Sequence, residues 1–298
     1  MEKICFIGLG HMGNPMAHQL LKASYKLMVY DIVPQVMQAM IDQGAVALTA
    51  DLEGVEDADV IITMLQTGQQ VSDMCLRAHG LFAKAKKNAL YIDCSSIDVS
   101  AARQLHQAAK AAGIVMVDAP VSGGVTGAES ATLTFMVGGE EQAFLRAKSL
   151  LEKMGSKIVH AGAAGLGQAA KICNNLILGI SMIAVSEGFS LADKLGLDPK
   201  KFFDIASNAS SQCWSMSKYC PFPGIIDNAP SNHNYEAGFM AKMMLKDLLL
   251  GLNAAEIAHA SIPLGSAATE LYSMFVNQGH AEMDFSGIIK MIGNYPYT

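Results

Sequence analysis

The chain has 298 residues, of which 51% are hydrophobic, and a formal net charge of −6. This length and composition suit a globular protein with a substantial core, arranged as two domains of ordinary size or one large one. Its 21 basic and 27 acidic residues are scattered without runs. The sequence therefore offers neither a basic face for nucleic acid nor a polybasic patch for a membrane, and we expect small molecules as partners.

The six cysteines show no CxxC spacing, and several lie within apolar strand or helix patterns. This usage is typical of reduced thiols in a reducing compartment, so we expect no disulfides. The sequence enters a strand pattern at Lys3 without a charged leader, and no apolar run reaches the roughly 18 residues of a membrane span. We expect a soluble, cytoplasmic protein, although a chain trimmed of an organellar targeting peptide would look the same.

Short apolar runs alternate with helical patterns from the start of the chain to about residue 160. The runs are KICFIGLG, KLMVYD, DVIITML, ALYIDC, IVMVDAP, TLTFMVGG and KIVHAG. Such alternation predicts an α/β fold with a doubly wound, mainly parallel sheet covered by helices.

The pattern changes after the glycine cluster GAAGLG at 162–167. Strand-like runs disappear, and long helical stretches rich in Ala, Leu, Met and Ile follow. We predict two domains, 1–162 and 163–298, of which the second is all-helical and begins with a long interdomain helix. Its least helical part is the Pro-rich segment 210–238, and a loop of this length often forms part of a binding site.

A glycine-rich loop opens the chain. Gly8, Gly10 and Gly13 follow an apolar strand and begin a helical pattern, which is the GxGxxG arrangement. Such glycines permit a tight turn, close approach of a pyrophosphate and close packing of helix on strand. The next strand ends in Asp31, 18 residues after Gly13, where a carboxylate binds an adenosine ribose. Because no Arg or Lys follows Asp31 in YDIVPQ, we predict a Rossmann-type domain that binds NAD rather than NADP.

Further cofactor contacts are expected after the later strands, because ligands of open parallel sheets bind at the carboxyl ends of the strands. Ser95 directly follows the apolar run ALYIDC, so it is also expected at this edge of the sheet. From the glycine loop and this edge, the predicted cofactor-binding residues are Gly8, Leu9, Gly10, His11, Met12, Gly13, Asp31, Leu65, Gln66, Gln70 and Ser96.

The segment DAPVSGGVTGA, at 118–128, follows another strand end. Its Ser122, Gly123 and Gly124 would offer a hydroxyl and closely approachable backbone N–H groups. We predict that these residues form a cradle for a small carboxylate.

The segment GLGQAAKICNN, at 165–175, places Lys171 and Asn175 at i and i+4, so that they share one helix face. A desolvated lysine can have its pKa lowered far enough to remove a hydroxyl proton, and Lys246 is a candidate for lowering it further. A helical lysine can equally extend its charge to solvent, beside an asparagine that packs between helices. The residues alone leave both interpretations open.

Five segments carry a resemblance to a known family. FIGLGHMGNPMA, DAPVSGGVTGAESATLTFMVGG, GLGQAAKICNN, EAGFMAKMMLKDL and GHAEMDFSGII resemble, in order and over nearly the full chain, the beta-hydroxyacid dehydrogenase family. The resemblance implies that Lys171 is the catalytic acid/base and that Asn175 takes part in catalysis and substrate binding. It also implies that residues 122–124 hold the substrate carboxylate and that Lys246 lies at both cofactor and substrate.

Within the family, the Pro-rich segment is similar to that of 3-hydroxyisobutyrate dehydrogenases. This similarity implies NAD-dependent oxidation of 3-hydroxyisobutyrate to methylmalonate semialdehyde, in valine catabolism, by a homodimer or homotetramer. Two alternatives stay open: a sister reductase of tartronate or succinic semialdehyde, and a non-catalytic NAD-binding scaffold. The sequence departs from the family at Leu65–Gln66, where Leu-Pro is usual, and Gln66 restores a backbone N–H and loosens the loop.

Other functional classes find less support in the sequence. The last arginine is Arg146, so the second domain lacks the arginine forks that favour a phosphosugar substrate. The eight histidines show no HExxH or other metal-ligand spacing, and we expect no metal site. His280, Glu282 and Asp284 could suggest ligands, but the resemblance places them in a loop near the substrate.

Overall fold

The computed structural model describes residues 2–296. These residues form two compact units, of which the first ends at Lys171 and the second begins at Ile172. One long helix, α8 (Leu166–Lys194), starts in the first unit and continues in the second.

The first unit alternates strands with helices. Its strands are β1 (Lys3–Ile7), β2 (Lys26–Tyr30), β3 (Val46–Ala47), β4 (Val60–Thr63), β5 (Leu90–Asp93), β6 (Val115–Asp118), β7 (Val121–Ser122), β8 (Leu133–Gly138) and β9 (Gly155–Gly162). Its helices before α8 are α1 (Gly13–Lys22), α2 (Pro34–Ile41), α3 (Gly68–Leu76), α4 (Leu81–Lys84), α5 (Val99–Ala111), α6 (Gly124–Glu129) and α7 (Glu141–Leu151). Each of the seven apolar runs overlaps one of the longer strands.

The strands form one nine-stranded sheet in the order β3-β2-β1-β4-β5-β6-β8-β7, with β9 paired to β8. All pairs from β3 to β6 are parallel, whereas β8 runs antiparallel to β6 and β7 and parallel to β9. The chain changes its direction of progress across the sheet between β1 and β4. This switch point is where open α/β sheets bind ligands, and the order confirms the predicted Rossmann-type fold.

Apolar side chains cover both faces of this sheet. Successive residues of β1 illustrate the arrangement, because Ile4 and Phe6 join the core on one face while Cys5 and Ile7 join the core on the other. A sheet buried on both sides explains why its strands read as continuous apolar runs. Burial also raises the pKa of the Cys5 thiol to about 12. All six cysteines, which lie within residues 2–296, are unpaired thiols.

The second unit is helical, as predicted. After α8 it contains α9 (Pro199–Ala206), α10 (Trp214–Ser217), α11 (Ala241–Ala258), α12 (Pro263–Phe275) and α13 (Ile288–Gly293). Its largest core packs α8, α11 and α12 around side chains such as Met182, Met244 and Tyr272. The Pro-rich segment 210–238 holds only α10 and a short 3-10 turn, Pro230–Asn232, and is otherwise irregular.

Helix α8 is also long and apolar enough to cross a membrane, judged by length and composition alone. The mean hydropathy of its most apolar window is high enough for a membrane span, although Asn174 and Asn175 interrupt the apolar run of the helix. Half of its most apolar window is buried inside the protein, and a core helix of a soluble protein passes the same test.

Candidate functional site

The glycine-rich loop joins the carboxyl end of β1 to α1. Gly8 has a φ of +91°, which L side chains rarely adopt. A Cβ on Gly13 would overlap the backbone oxygen of Gly8, so only glycine lets α1 pack this closely on the strand. A Cβ on Gly10 would meet nothing within 4 Å, so the backbone there is open to a ligand. The loop therefore fits a dinucleotide pyrophosphate beside the free N–H groups of a helix start.

The other predicted residues of this loop differ in exposure. The side chain of Leu9 is buried, so only its backbone is available to a cofactor. His11 is exposed, and Met12 is half-buried against the core on one face of the sheet.

Asp31 follows β2 and is bound to the glycine loop. Its Oδ2 accepts a hydrogen bond from the Leu9 N–H at 2.7 Å, and its Oδ1 accepts one from the Val33 N–H at 2.8 Å. Each carboxylate oxygen has a further lone pair, so Asp31 can still accept hydrogen bonds from a ribose. The structure thus brings Asp31 and the glycine loop together at the sheet switch point.

The loop after β4 carries Leu65 and the exposed Gln66. The Leu65 N–H donates to the Ser95 hydroxyl at 2.9 Å, which joins the loops that follow β4 and β5. The Gln66 N–H donates to Oε1 of Gln70 at 3.1 Å, and the Gln70 N–H donates to the Thr67 hydroxyl that caps α3. A proline in place of Gln66 would lack this N–H, so the bond to Gln70 supplies some of the restraint that a proline would impose.

A buried chain of polar side chains lies behind these two loops. The Cys75 thiol donates to the Tyr91 hydroxyl, and Thr63 Oγ1 donates to Oδ1 of Asp93 at 2.9 Å, so the Tyr91 hydroxyl must donate to Thr63 at 2.7 Å. The Ser95 N–H also donates to Oδ1 of Asp93, at 3.1 Å. Burial raises the pKa of Asp93 to about 6, with the bonds from Ser95 and Thr63 acting in the opposite direction.

The loop after β5 is also bound to the first turn of α8. The Gln168 side chain is fully buried, and its Nε2 donates to the Ser95 carbonyl at 2.7 Å while its Oε1 accepts from the Ile97 N–H at 3.0 Å. Ser96, a predicted cofactor residue, lies between these two contacts and is half-buried. No local spacing in the sequence indicates the role of Gln168, because its partners lie more than 70 positions away.

Asp118, at the end of β6, holds the same helix start. The carboxylate is buried and accepts hydrogen bonds from the Gly165 N–H at 2.8 Å and the Gln168 N–H at 2.9 Å. His106 Nε2 lies 2.8 Å from Oδ1 of the same carboxylate. A Cβ on Gly138 would lie 2.6 Å from that oxygen, so the missing side chain makes room for it. Asp118 therefore caps the first turn of α8.

The predicted carboxylate cradle begins on a strand rather than in a loop. Ser122 ends β7, where it pairs with Thr134 of β8, and it is half-buried. Gly123 has a φ of +134° and Gly124 a φ of +65°, both in the region that favours glycine. A Cβ on Gly124 would meet nothing within 4 Å. The two exposed glycines therefore leave the N-terminal backbone of α6 open to a ligand.

Lys171 and Asn175 both lie on α8, four positions apart. Lys171 is half-buried and Asn175 is buried. Asn175 Nδ2 donates to Oδ2 of Asp247, and Asn175 Oδ1 accepts from Asn174 at 2.9 Å. Lys246 Nζ lies 3.0 Å from Oδ1 of Asp247 as an ion pair. Two residues predicted to bind substrate, Asn175 and Lys246, thus meet in the second unit through the buried carboxylate of Asp247, which was not among the predicted site residues.

The three residues that could suggest metal ligands take part in other contacts. The His280 ring stacks on a phenylalanine ring, with 5.0 Å between the ring centroids. Glu282 forms an ion pair with Lys242 at 2.5 Å. Asp284 is buried, and its Oδ2 accepts hydrogen bonds from the Tyr219 hydroxyl at 2.9 Å and the Phe239 N–H at 3.0 Å. Burial raises the pKa of Asp284. Between residues 2 and 296, no group of three or more His, Cys, Asp or Glu side chains is placed to hold a metal ion.

Two family models match this chain. The model described as the NAD binding domain of 6-phosphogluconate dehydrogenase matches residues 3–162. The model described as NAD-binding of NADP-dependent 3-hydroxyisobutyrate dehydrogenase matches residues 165–292. Together they cover nearly the whole chain.

Individual relatives align over almost their full length. The NAD-dependent L-serine dehydrogenase of Pseudomonas aeruginosa is 44% identical, with 98% of each chain covered. The human mitochondrial 3-hydroxyisobutyrate dehydrogenase is 44% identical over 96% of this chain and 85% of its own. A solved structure of 3-hydroxyisobutyrate dehydrogenase from Mycobacterium tuberculosis with L-serine is 43% identical, with a TM-score of 0.92 over 98% of this chain and 99% of that one.

Proposed function

Because this chain belongs to the beta-hydroxyacid dehydrogenase family, we propose that it oxidises 3-hydroxyisobutyrate to methylmalonate semialdehyde. Its cofactor is NAD, which when bound accepts a hydride from the alcohol carbon. The choice of substrate is supported by relatives named 3-hydroxyisobutyrate dehydrogenase, among them the human and Mycobacterium tuberculosis proteins. It places the reaction in valine catabolism.

One observation carries the proposal. Asn175 and Lys246 lie 71 positions apart, and Asp247 holds both of them in the second unit. A carboxylate can only accept hydrogen bonds, so it fixes which end of the Asn175 amide faces it. An amide of fixed orientation and a lysine beside it are suited to binding a polar substrate.

We assign the acid/base role to Lys171. Its neutral Nζ takes the proton of the substrate hydroxyl, and the electron pair of the broken O–H bond forms the carbonyl. The amine must be neutral to accept this proton, and removal of water from around it favours the neutral form. In the reverse direction the charged amine returns the proton.

We assign the substrate carboxylate to Ser122, Gly123 and Gly124. The open backbone at the start of α6 and the Ser122 hydroxyl can donate hydrogen bonds to its oxygens. Fixing the carboxylate sets the position of the CH₂OH carbon that is oxidised, one carbon further along the substrate, and such positioning contributes much of the rate enhancement in reactions of this kind.

L-Serine is the second candidate substrate. The Pseudomonas aeruginosa relative is named for it, and the Mycobacterium tuberculosis structure contains it. Both acids carry a CH₂OH group on the carbon that bears the carboxylate, and they differ in a methyl or an ammonium group on that carbon. A site built for one of these groups loses affinity for the other, because a charged ammonium needs acceptors that a methyl group does not.

The deciding experiment follows nicotinamide absorbance with purified protein. 3-Hydroxyisobutyrate, L-serine, glycerate, 4-hydroxybutyrate and 6-phosphogluconate are each supplied with NAD and with NADP. Preferred turnover of 3-hydroxyisobutyrate with NAD is the expected result, and preferred turnover of L-serine, glycerate or 4-hydroxybutyrate would overturn the substrate assignment.

The role of Lys171 has its own test. Lys171→Ala should abolish turnover of every acid in the panel while NAD still binds, as measured by fluorescence titration. Retained turnover would refute the acid/base role. A wild-type protein that binds NAD and oxidises none of the acids would instead support a non-catalytic scaffold.

We also propose that the enzyme is a cytoplasmic homodimer or homotetramer. The second unit exposes large apolar side chains on several helices, and burial of such side chains stabilises subunit contacts. They include Ile177, Leu191, Leu249, Ile257 and Leu264. Light scattering coupled to size-exclusion chromatography measures the assembly directly, and a monomer at micromolar concentration would contradict it.

A further inference from the structure

We propose that Gln168 is a positioning residue for Lys171, because its buried amide fastens the first turn of α8 to the loop after β5. All the residues of this contact lie in the first unit. The inference rests on the proposed acid/base role of Lys171, but the contact itself can be tested without turnover.

The amide of Gln168 uses both of its ends on one loop. Nε2 donates to the Ser95 carbonyl at 2.7 Å, and Oε1 accepts from the Ile97 N–H at 3.0 Å. Two backbone groups two residues apart are thus satisfied by one side chain, much as a neighbouring strand would satisfy them. The side chain is fully buried, so water cannot replace either bond. A side chain that lacks either a donor or an acceptor leaves one backbone group unpaired.

Gln168 is held from its backbone as well. Its N–H donates to Oδ2 of Asp118 at 2.9 Å, while the Gly165 N–H donates to Oδ1 of the same carboxylate. The start of α8 is therefore fixed at two points, to the end of β6 through Asp118 and to the loop after β5 through the Gln168 amide. Without the second attachment, the helix start can rotate or shift about the first.

Lys171 lies three positions after Gln168, on the next turn of α8. The loop that Gln168 binds also contains Ser96, a predicted cofactor residue, and its Ser95 hydroxyl holds Leu65. A change at Gln168 therefore alters the position of Lys171 relative to the loops predicted to hold the cofactor. A misplacement of about 1 Å can cost about 100-fold in rate.

Two variants distinguish the effect of the Gln168 hydrogen bonds from the effect of its side-chain volume. Gln168→Met keeps the length and removes both hydrogen bonds. Gln168→Glu keeps an acceptor for Ile97, but when ionised it sets an oxygen against the Ser95 carbonyl, close to the Asp118 carboxylate and the adjacent His106. A protonated glutamate restores the donor, and burial next to Asp118 favours that form. Activity of the glutamate variant, relative to wild type, should therefore rise as the pH falls, and that of the methionine variant should not.

Gln19→Met is a matched control. Gln19 also binds a backbone carbonyl with its amide, that of Glu129 at 2.5 Å, on the outside of the first unit. Its hydrogen bonds join α1 to the end of α6 and go neither to α8 nor to the loop after β5. Its loss should leave kcat unchanged.

The test combines hydrogen exchange with kinetics. In Gln168→Met we expect exchange at 94–98 and 165–172 to be about tenfold faster or more, with the rest of the first unit unchanged. We expect kcat to fall about 10- to 100-fold, while the Kd for NAD stays within about threefold of wild type.

Three results would overturn the inference: unchanged exchange in those segments, an unchanged kcat, or a kcat loss explained by faster exchange over the whole unit. If wild-type protein oxidises no acid of the panel, the proposed function fails, and the exchange measurement still decides whether Gln168 fastens the helix.

Discussion

Asp93 is a fully buried carboxyl at the end of β5, and we predict that Asp93→Asn removes a pH dependence of stability. Its Oδ1 accepts hydrogen bonds from Thr63 and Ser95. Its Oδ2 is buried and has no hydrogen-bond partner among residues 2–296. Burial accordingly raises its pKa from 3.8 to about 6.

The size and sign of the effect follow from this pKa. Because the folded-state pKa is the higher one, the protonated carboxyl contributes stability that is fully present below pH 3.8 and is lost as the pH rises through about 6. The complete loss corresponds to about 3 kcal/mol, at about 1.36 kcal/mol for each pKa unit. Between about pH 4.5 and about pH 8, linkage gives a loss of about 2 kcal/mol. Asparagine cannot ionise and keeps an oxygen for both donors, so the variant should not show this loss.

Urea unfolding at the two pH values measures this loss. The difference in unfolding free energy, variant minus wild type, should rise by about 2 kcal/mol from the lower to the higher pH. Asp73→Asn is the control, because Asp73 is exposed on α3 and the substitution changes the charge by the same amount. For Asp73→Asn, the difference in unfolding free energy from wild type should change by less than about 0.5 kcal/mol between the two pH values. Equal differences for Asp93→Asn at both pH values would refute the argument that burial holds Asp93 partly protonated.

Three further predictions concern the candidate site. Gly13→Ala should weaken NAD binding at least about tenfold in fluorescence titrations, because its Cβ would overlap a backbone oxygen of the same loop, and unaltered binding would contradict this close packing. Asp31→Ala should raise KM for NAD about tenfold or more and lower the ratio of kcat/KM with NAD to kcat/KM with NADP. An unchanged ratio would argue against a ribose contact. Asp247→Asn should raise KM for the hydroxy acid about tenfold or more, since the Asn175 amide and Lys246 lose their shared carboxylate; a wild-type KM would remove Asp247 from the site.

The sheet could be predicted because its strands are buried on both faces. A strand covered by helices on either side reads as an apolar run, and each of the seven runs in the sequence overlaps a strand. The two-residue strands β3 and β7 were missed, since two residues are too few to show a periodic pattern. The antiparallel direction of β8 could not be predicted from its residues either, because strand direction depends on the pairing partner and not on the strand's own sequence.

In the candidate site, too, residues defined by local spacing could be predicted, whereas residues defined by distant contacts could not. The glycine loop and the pair Lys171 and Asn175 show in the sequence because each depends on spacing within one loop or one helix. Gln168 and Asp247 do not show, because each acts on backbone or side chains brought from far along the chain. Both are buried polar side chains: Gln168 binds the loop after β5, and Asp247 binds Asn175 and Lys246. Leaving such partners unpaired is costly. Residues of this kind hold a site in place, so substitutions at them should reduce turnover even though motif spacing alone assigns them no role.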